Sequence, residues 1–327
     1  MLVVGREMEY TAQPLVAMLG NKRKLVGRIE EIVKEIRTSA FEGRLLKGCD
    51  LFCGSSVVTR MLAGHCSELH ANDLETFAAL QGQAALYKPD EDLRKRAEDL
   101  CAAANAAADS ASKEGVISSL YAPKVTDAIQ PGERCFFTRE NALRIDAYRD
   151  FLLAGAPDAA APLLAQLLAR SSRAANCKGT FTSFFRDRRG VGCWGGVTKK
   201  GLDRIFGEIR LEPPVPCPHP CAGTSTQMDA FNFLESVPDG AFDVCYADPP
   251  YNGNLYGSHY GVLNIIASPG VPENITEGSG IPLDGRLPSD FYAKPSALLV
   301  MRRFLELITR KAAFVILSYS SLSLIHI

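Results

Sequence analysis

A carboxylate, two prolines and an aromatic ring follow one apolar segment of this chain. The segment covers residues 241–247 and leads into Asp248-Pro249-Pro250-Tyr251. The prolines fix the backbone and remove two N–H donors, so the carbonyl oxygens of the loop stay free to accept hydrogen bonds. Asp248 adds a carboxylate at the carboxyl end of a predicted strand, where open α/β sheets bind ligands. Two acceptors beside an aromatic face suit a planar amine such as that of adenine, although an ordinary proline-rich turn has the same residues.

A turn of small residues near the N-terminus offers a second binding surface. Residues 49–58 are typical of a strand, a turn through Gly54 and the start of a helix. Small residues let the backbone approach a ligand closely, and the first turn of a helix has free N–H groups. About twenty residues later Asp73 ends a second predicted strand, and an acid at this spacing commonly accepts hydrogen bonds from ribose hydroxyls. The chain has no G-x-G-x-x-G motif, so a dinucleotide site is not indicated.

Five short segments, spread over most of the chain, form a set in a fixed order. They are Gly20-Asn21-Lys22-Arg23-Lys24-Leu25, Asp50-Leu51-Phe52-Cys53-Gly54, Asn72-Asp73, Asp229-Ala230-Phe231 and Asp248-Pro249-Pro250-Tyr251-Asn252-Gly253. This set resembles the Dam-like adenine-specific DNA methyltransferases, and most closely their restriction–modification branch. The resemblance implies an α/β fold, with a Rossmann-like S-adenosylmethionine-dependent methyltransferase sheet and a mainly helical target-recognition insert.

The resemblance also implies a reaction and assigns roles to residues. The reaction is methyl transfer from S-adenosyl-L-methionine to the N6 amine of adenine in double-stranded DNA, with a cognate restriction endonuclease as a partner protein. The implied cofactor-binding residues are Gly20, Asn21, Lys22, Asp50, Phe52, Gly54, Asp73 and Asp229. The implied catalytic residues are Asp248, Pro249, Pro250 and Tyr251, with Tyr251 stacking on a flipped base. Asp229 also suits a helix N-cap, and both roles are compatible.

Two departures from the family pattern concern the turn and the end of the chain. Ser56 stands where the family usually has a second glycine, so we expect an altered cofactor turn. The chain also ends soon after Ser318-Tyr319-Ser320, where the family continues through a further helix and a β-hairpin. This second departure predicts a member that is truncated at its C-terminus.

A basic segment in the middle of the chain is a candidate DNA-binding surface. Its cations are Arg186, Arg188, Arg189, Lys199 and Lys200. They alternate with the aromatic residues Phe181, Phe184, Phe185 and Trp194. Arginines can hold phosphates while aromatic rings wedge or stack against bases. A packed insert with an exposed loop explains the same pattern, and the sequence supports both interpretations.

The spacing of the motifs predicts a discontinuous catalytic domain. Residues 1–75 and 223–327 would form it, and residues 76–222 would form the helical insert that recognises the target. Helices are predicted over residues 21–37, 91–112, 138–153 and 159–173, and a linker over residues 212–221. Cys217, His219 and Cys221 lack the paired spacing of structural zinc sites, so no metal is predicted.

The composition is that of a globular protein of about two domains. The 327 residues are 46% hydrophobic and 22% charged, with a net charge of −1, so any contact with nucleic acid depends on local basic patches. No apolar run reaches the length of a membrane span, and ten cysteines without a disulfide pattern suit a cytoplasmic protein. An RNA base methyltransferase and an inactive or incomplete DNA-binding paralogue remain alternatives.

Overall fold

The computed structural model describes residues 8–13, 15–250, 256–283, 290–292 and 297–318. Five strands alternate with helices along the described chain. The strands are β1 (Leu46–Asp50), β2 (Cys66–Asp73), β3 (Ala222–Gln227), β4 (Phe242–Ala247) and β5 (Ala312–Leu317). The helices are α1 (Val26–Phe41), α2 (Val57–Ala63), α3 (Thr76–Ala85), α4 (Glu91–Asp109), α5 (Val116–Leu120), α6 (Arg139–Leu153), α7 (Pro157–Ala174), α8 (Leu202–Phe206), α9 (Ala230–Ser236), α10 (Tyr256–Ala267) and α11 (Ala297–Lys311), with a 3-10 turn at Asp290–Tyr292.

The five strands form one sheet in the order β3-β2-β1-β4-β5, and every pairing in it is parallel. The strand order reverses between β1 and β4, which lie side by side with Asp50 opposite Tyr246. In an open α/β sheet such a reversal leaves a crevice at the carboxyl ends of the strands, where ligands bind. The predicted fold class, an α/β methyltransferase-like sheet with helices, is confirmed.

Both faces of the sheet are covered by helices, which explains the apolar character of the central strands. Leu46, Val244 and Tyr246 belong to a buried cluster with residues of α1 and α2. Cys49 and Cys245 belong to a second cluster with residues of α9 and α11. Side chains along a strand alternate between faces, so neighbouring residues of β1 and β4 contribute to different clusters. All ten cysteines are free thiols.

The chain between β2 and β3 contains six helices and no strand of the sheet. The predicted helices at residues 91–112, 138–153 and 159–173 are confirmed as α4, α6 and α7. The side chain of Thr138 caps α6 by accepting a hydrogen bond from the Asn141 N–H at 3.2 Å. The core of this region extends to α10, because Tyr260 and Leu263 belong to the same buried cluster as its apolar residues.

Two further observations concern the start of α1 and the apolarity of the helices. The helix predicted from residue 21 begins at Val26, because residues 21–25 form turns in which the N–H groups of Leu25 and Val26 both donate to the Lys22 carbonyl. Among the described residues, no helix combines the length and the apolarity needed to cross a bilayer.

Candidate active site

A cavity opens at the carboxyl ends of β1, β2 and β4, where the strand order reverses. Its volume is about 880 Å³, including space open to solvent. Ten of the residues predicted as site residues line it: Gly20, Asn21, Lys22, Asp50, Phe52, Gly54, Asp73, Asp229, Asp248 and Pro250. Pro249 is buried and does not line the cavity, and Tyr251 lies outside the described residues. The structure therefore brings together four aspartates that are far apart in the sequence.

The turn after β1 has two residues in the left-handed region of backbone conformation. Gly54 has φ 50°, and Ser56, the residue in place of a family glycine, has φ 60° and ψ 23°. Ser56 is completely buried, and its hydroxyl makes no hydrogen bond within the described chain, with the weakly polar Cys53 thiol near it. Ser56 thus has a left-handed backbone, which is strained in a residue with a side chain.

Asp73 ties the ends of β1 and β2 together. Its Oδ2 accepts a hydrogen bond from the Gly54 N–H at 2.8 Å, and its Oδ1 accepts one from the Glu75 N–H at 3.0 Å. Loss of solvent around the carboxylate raises the pKa of Asp73 to about 6, although these N–H donors lower it. Each oxygen keeps a further lone pair, so the carboxylate can still accept a ligand hydroxyl.

Asp50 is the most deeply buried acid of the cavity. Its Oδ2 accepts a hydrogen bond from the Thr59 hydroxyl at 2.6 Å, whereas its Oδ1 has no partner among the described residues. Burial, together with the nearby carboxylates of Asp73 and Asp248, raises the pKa of Asp50 to about 7. An unpaired buried carboxylate oxygen is costly, which favours a cationic or hydrogen-donating ligand here.

Asp248 follows β4 and forms an ion pair within the cavity. Its Oδ2 lies 2.5 Å from the Nζ of Lys22, which also donates to the Gly20 carbonyl at 2.9 Å. The Oδ1 of Asp248 is buried and has no hydrogen-bond partner among the described residues. Burial raises the pKa of Asp248, while Lys22 and the Ser318 hydroxyl lower it.

Two other predicted residues have clear structural roles. Asp229 caps α9, because its Oδ1 accepts a hydrogen bond from the Phe231 N–H at 2.9 Å. Phe231 itself is buried, and its ring stacks on Phe291 at 5.3 Å between centroids. Phe52 lines the cavity and packs edge-on against Phe291 and Phe304. The two aromatic residues thus stabilise the wall behind the cavity.

Comparison with known proteins indicates a reaction class for the chain's relatives. No protein-family model matches the chain. It is 28% identical over 320 residues to the type II methyltransferase M.CviAII of Paramecium bursaria Chlorella virus 1, covering 95% of this chain and 85% of the viral protein. The relatives of this chain are type II methyltransferases. It is 26% identical over 262 residues to the type II methyltransferase M.NlaIII of Neisseria lactamica, covering 76% of this chain and 68% of that protein. The modification methylase LlaI of Lactococcus lactis subsp. lactis is 26% identical over 268 residues, or 78% of this chain and 39% of that protein.

Glu75 also lines the cavity, although the sequence analysis did not identify it as a site residue. It is buried, and its Oε2 accepts a hydrogen bond from the Asn264 amide at 2.5 Å. Burial raises the pKa of Glu75 to about 7. The Oδ1 of Asn264 in turn accepts from the Phe77 N–H at 3.1 Å. A second acid two residues after Asp73, which the structure places just before α3, was the available signal.

The basic segment of the insert differs from the prediction in its aromatic residues. Arg186, Arg188, Arg189, Lys199 and Lys200 are all exposed. Phe181, Phe184 and Trp194 are instead buried in the core of the insert. The Trp194 indole donates a hydrogen bond to the Thr126 carbonyl at 2.9 Å. These three rings are therefore unavailable for stacking on bases, and the packed-insert interpretation describes them correctly. Phe185, which is half-buried, remains accessible.

The exposed arginines of this segment have different neighbours. Arg186 lies over the Phe184 ring, with 4.0 Å between its guanidinium carbon and the ring centroid. Arg189 pairs with Asp187 at 3.0 Å. Arg188 forms no ion pair with any residue that the structure describes. Of the three arginines, Arg188 is therefore the one whose charge has the least internal compensation.

Proposed function

We propose that this chain is a site-specific DNA adenine-N6 methyltransferase of the Dam-like class, using S-adenosyl-L-methionine in a restriction–modification system. Double-stranded DNA and a cognate restriction endonuclease would be its partners, in the cytoplasm. The observation that carries the proposal is Asp248, a buried carboxylate with an unpaired oxygen, in one cavity with the Gly54 turn and Asp73. Similarity to type II methyltransferases over most of the chain supports the reaction class.

The residues of the cavity fit the proposed cofactor. S-adenosylmethionine carries cationic groups and ribose hydroxyls, and the cavity has carboxylates with unused acceptor capacity at Asp50 and Asp73. The residues that would hold it are Gly20, Asn21, Lys22, Asp50, Phe52, Gly54, Asp73 and Asp229. When bound, the cofactor supplies a methyl group that is activated by the adjacent sulfonium charge.

Asp248 would act on the other reactant, the exocyclic amine of adenine. This amine is a poor nucleophile because its lone pair is delocalised into the ring. Hydrogen bonds from the amine to Oδ1 of Asp248 and to the Pro249 carbonyl would favour a pyramidal nitrogen and return the lone pair to it. Tyr251 would stack on the flipped base and hold it in line with the methyl group.

Residues 76–222 would form the target-recognition insert, and residues 1–75 and 223–327 the catalytic domain. The exposed cations Arg186, Arg188, Arg189, Lys199 and Lys200 support a phosphate-binding surface on this insert. The buried position of Trp194 argues against base stacking by that ring. Sequence readout would therefore depend on residues other than the insert's core aromatics.

The proposal is tested by methyl transfer to DNA. The protein is incubated with labelled S-adenosylmethionine and genomic DNA, and the methylated positions are mapped; cofactor binding is measured by calorimetry. Asp248→Ala should lower the single-turnover rate by roughly 100-fold or more, because an acceptor for the amine is lost, while the cofactor still binds. Asp243→Ala is the matched control, since Asp243 lies in β4 and pairs with Arg44 outside the cavity.

Three outcomes would contradict parts of the proposal. Near-normal turnover by Asp248→Ala would refute the mechanism at the amine. Methylation of RNA with none of DNA would favour the RNA base methyltransferase. Cofactor binding without transfer to either nucleic acid would favour the inactive paralogue.

A further inference from the structure

Lys22 and Asp248 form a contact between two motifs that lie more than two hundred residues apart in the sequence. The Lys22 ammonium lies 2.5 Å from Oδ2 of Asp248, and the side chains are 11% and 21% exposed. The backbone orients the ammonium as well, because Lys22 Nζ donates to the Gly20 carbonyl at 2.9 Å. Asp248 forms no other ion pair within the described residues.

The surroundings of Asp248 would otherwise disfavour its charge. Asp50, at the end of the neighbouring strand, is a second carboxylate close enough to interact with it. The Tyr246 phenol, on β4 itself, is also close and supplies no positive charge. The Ser318 hydroxyl, after β5, is also close and carries no charge. Of the described groups that face Asp248, Lys22 is thus the cation that offsets burial and the Asp50 carboxylate.

The two oxygens of Asp248 are therefore not equivalent. Oδ2 is occupied by Lys22, whereas Oδ1 is buried and has no partner among the described residues. With Lys22 on Oδ2, Oδ1 is the carboxylate oxygen whose acceptor capacity is wholly unused. A protonated carboxyl could instead direct its O–H toward the target amine and would fail to draw a proton of that amine toward itself.

We infer that Lys22 is a positioning residue that keeps Asp248 ionised and occupies Oδ2, so that Oδ1 accepts the hydrogen bond from the target amine. The inference rests on the proposed function, because the amine is the proposed substrate. It gives Lys22 a role toward the substrate, in place of or beside the cofactor contact implied by its motif. A residue that only contacted the cofactor would not affect the ionisation of Asp248.

The test compares three variants with the parent protein. Lys22→Met removes the charge and keeps the length of the side chain, and Lys22→Arg keeps the charge. Lys24→Met is the matched control, because Lys24 is an exposed lysine of the same segment without an ion pair among the described residues. Lys22→Gln serves as a second neutral variant should the methionine variant fold poorly.

Two pH titrations are measured on each protein. The first is the single-turnover rate of DNA methylation at saturating cofactor and DNA. The second uses isotope-edited infrared spectroscopy of the ligand-free protein, with the Asp248 band identified by its loss in Asp248→Asn. In Lys22→Met both midpoints should move to higher pH by about one unit or more, since an adjacent cation lowers the pKa of a carboxyl by this amount. Lys22→Arg and Lys24→Met should stay within a few tenths of a unit of the parent protein.

The two readouts separate this inference from the proposed function. If Lys22→Met weakens cofactor binding and leaves both midpoints unchanged, Lys22 is a cofactor ligand only and the inference is wrong. If the parent protein methylates no DNA, the proposed function is wrong. The infrared titration then still tests the ion pair. An Asp248 midpoint that is the same in Lys22→Met as in the parent protein would refute the inference, and a midpoint at higher pH in Lys22→Met would support the ion pair.

Discussion

Replacement of Ser56 by glycine should stabilise the protein. Ser56 adopts a left-handed backbone conformation, with φ 60°, at a completely buried position. This conformation raises the free energy of the folded state by about 1–2 kcal/mol for an L-residue with a side chain, and glycine lacks this penalty. The buried hydroxyl without a hydrogen bond adds a penalty of about 1–3 kcal/mol that the glycine removes.

Two effects oppose this gain. Glycine loses more chain entropy on folding, which costs about 0.5–1 kcal/mol, and removal of a buried side chain leaves a small void. We therefore expect the free energy of unfolding to rise by about 1 kcal/mol for Ser56→Gly, which corresponds to roughly 2–4 °C in Tm.

The reciprocal change at Gly54 is the matched comparison. A Cβ at Gly54 would contact Met18 at 3.6 Å, an ordinary van der Waals distance, so Gly54→Ala adds backbone strain without a clash. It should lower the free energy of unfolding by about 0.5–1 kcal/mol. Thermal and urea unfolding of both variants measure these changes. A less stable Ser56→Gly protein would refute the argument that the backbone is strained at this turn.

The carboxylates of the cavity and the arginines of the insert lead to three further predictions. Asp73→Asn leaves one acceptor for two N–H donors and should weaken cofactor binding by about 1.5–3 kcal/mol in calorimetry; unchanged affinity would exclude Asp73 from the cofactor site. Burial raises the pKa of Asp50 to about 7, and a cationic ligand favours its ionised form, so cofactor binding should release protons and tighten as pH rises through 7. Calorimetry in buffers of different ionisation enthalpy measures this, and proton uptake would contradict it. Arg188→Ala should lower the salt dependence of DNA binding by about one released counterion. Arg189→Ala should lower it less, because Arg189 already pairs with Asp187. Arg302→Ala, on α11, is the control and should leave the salt dependence unchanged.

Three of the five described strands and several of the helices could be predicted because their signals are local. Apolar runs that end in Asp50, Asp73 and Asp248 mark strand ends, and a cap at Thr138 marks the start of α6. The start of α1 was placed too early, since helical periodicity does not reveal that residues 21–25 form turns that orient Lys22. The convergence of the aspartates was predicted through the resemblance to a family.

The roles of individual side chains were harder to predict because they depend on distant contacts. The burial of Trp194 follows from packing within the insert and from its bond to the Thr126 carbonyl, neither of which has a local signal. Glu75 becomes a buried acid only through Asn264, which is 189 residues away in the chain. The pairing of Lys22 with Asp248 is likewise visible only once the sheet is assembled.

The neighbouring strands β1 and β4 pair across a long stretch of chain, with Asp50 opposite Tyr246. During synthesis at about 5–20 residues per second, β1 would wait roughly 10–40 s for β4 to be made. Its edge would be unpaired for that time, while the insert's core would also be incomplete until Tyr260 and Leu263 of α10 had emerged. Parallel pairing at such separation is slow to form and exposes the nascent chain to aggregation. Added chaperones that cover the unpaired edge should therefore raise the soluble yield of this protein.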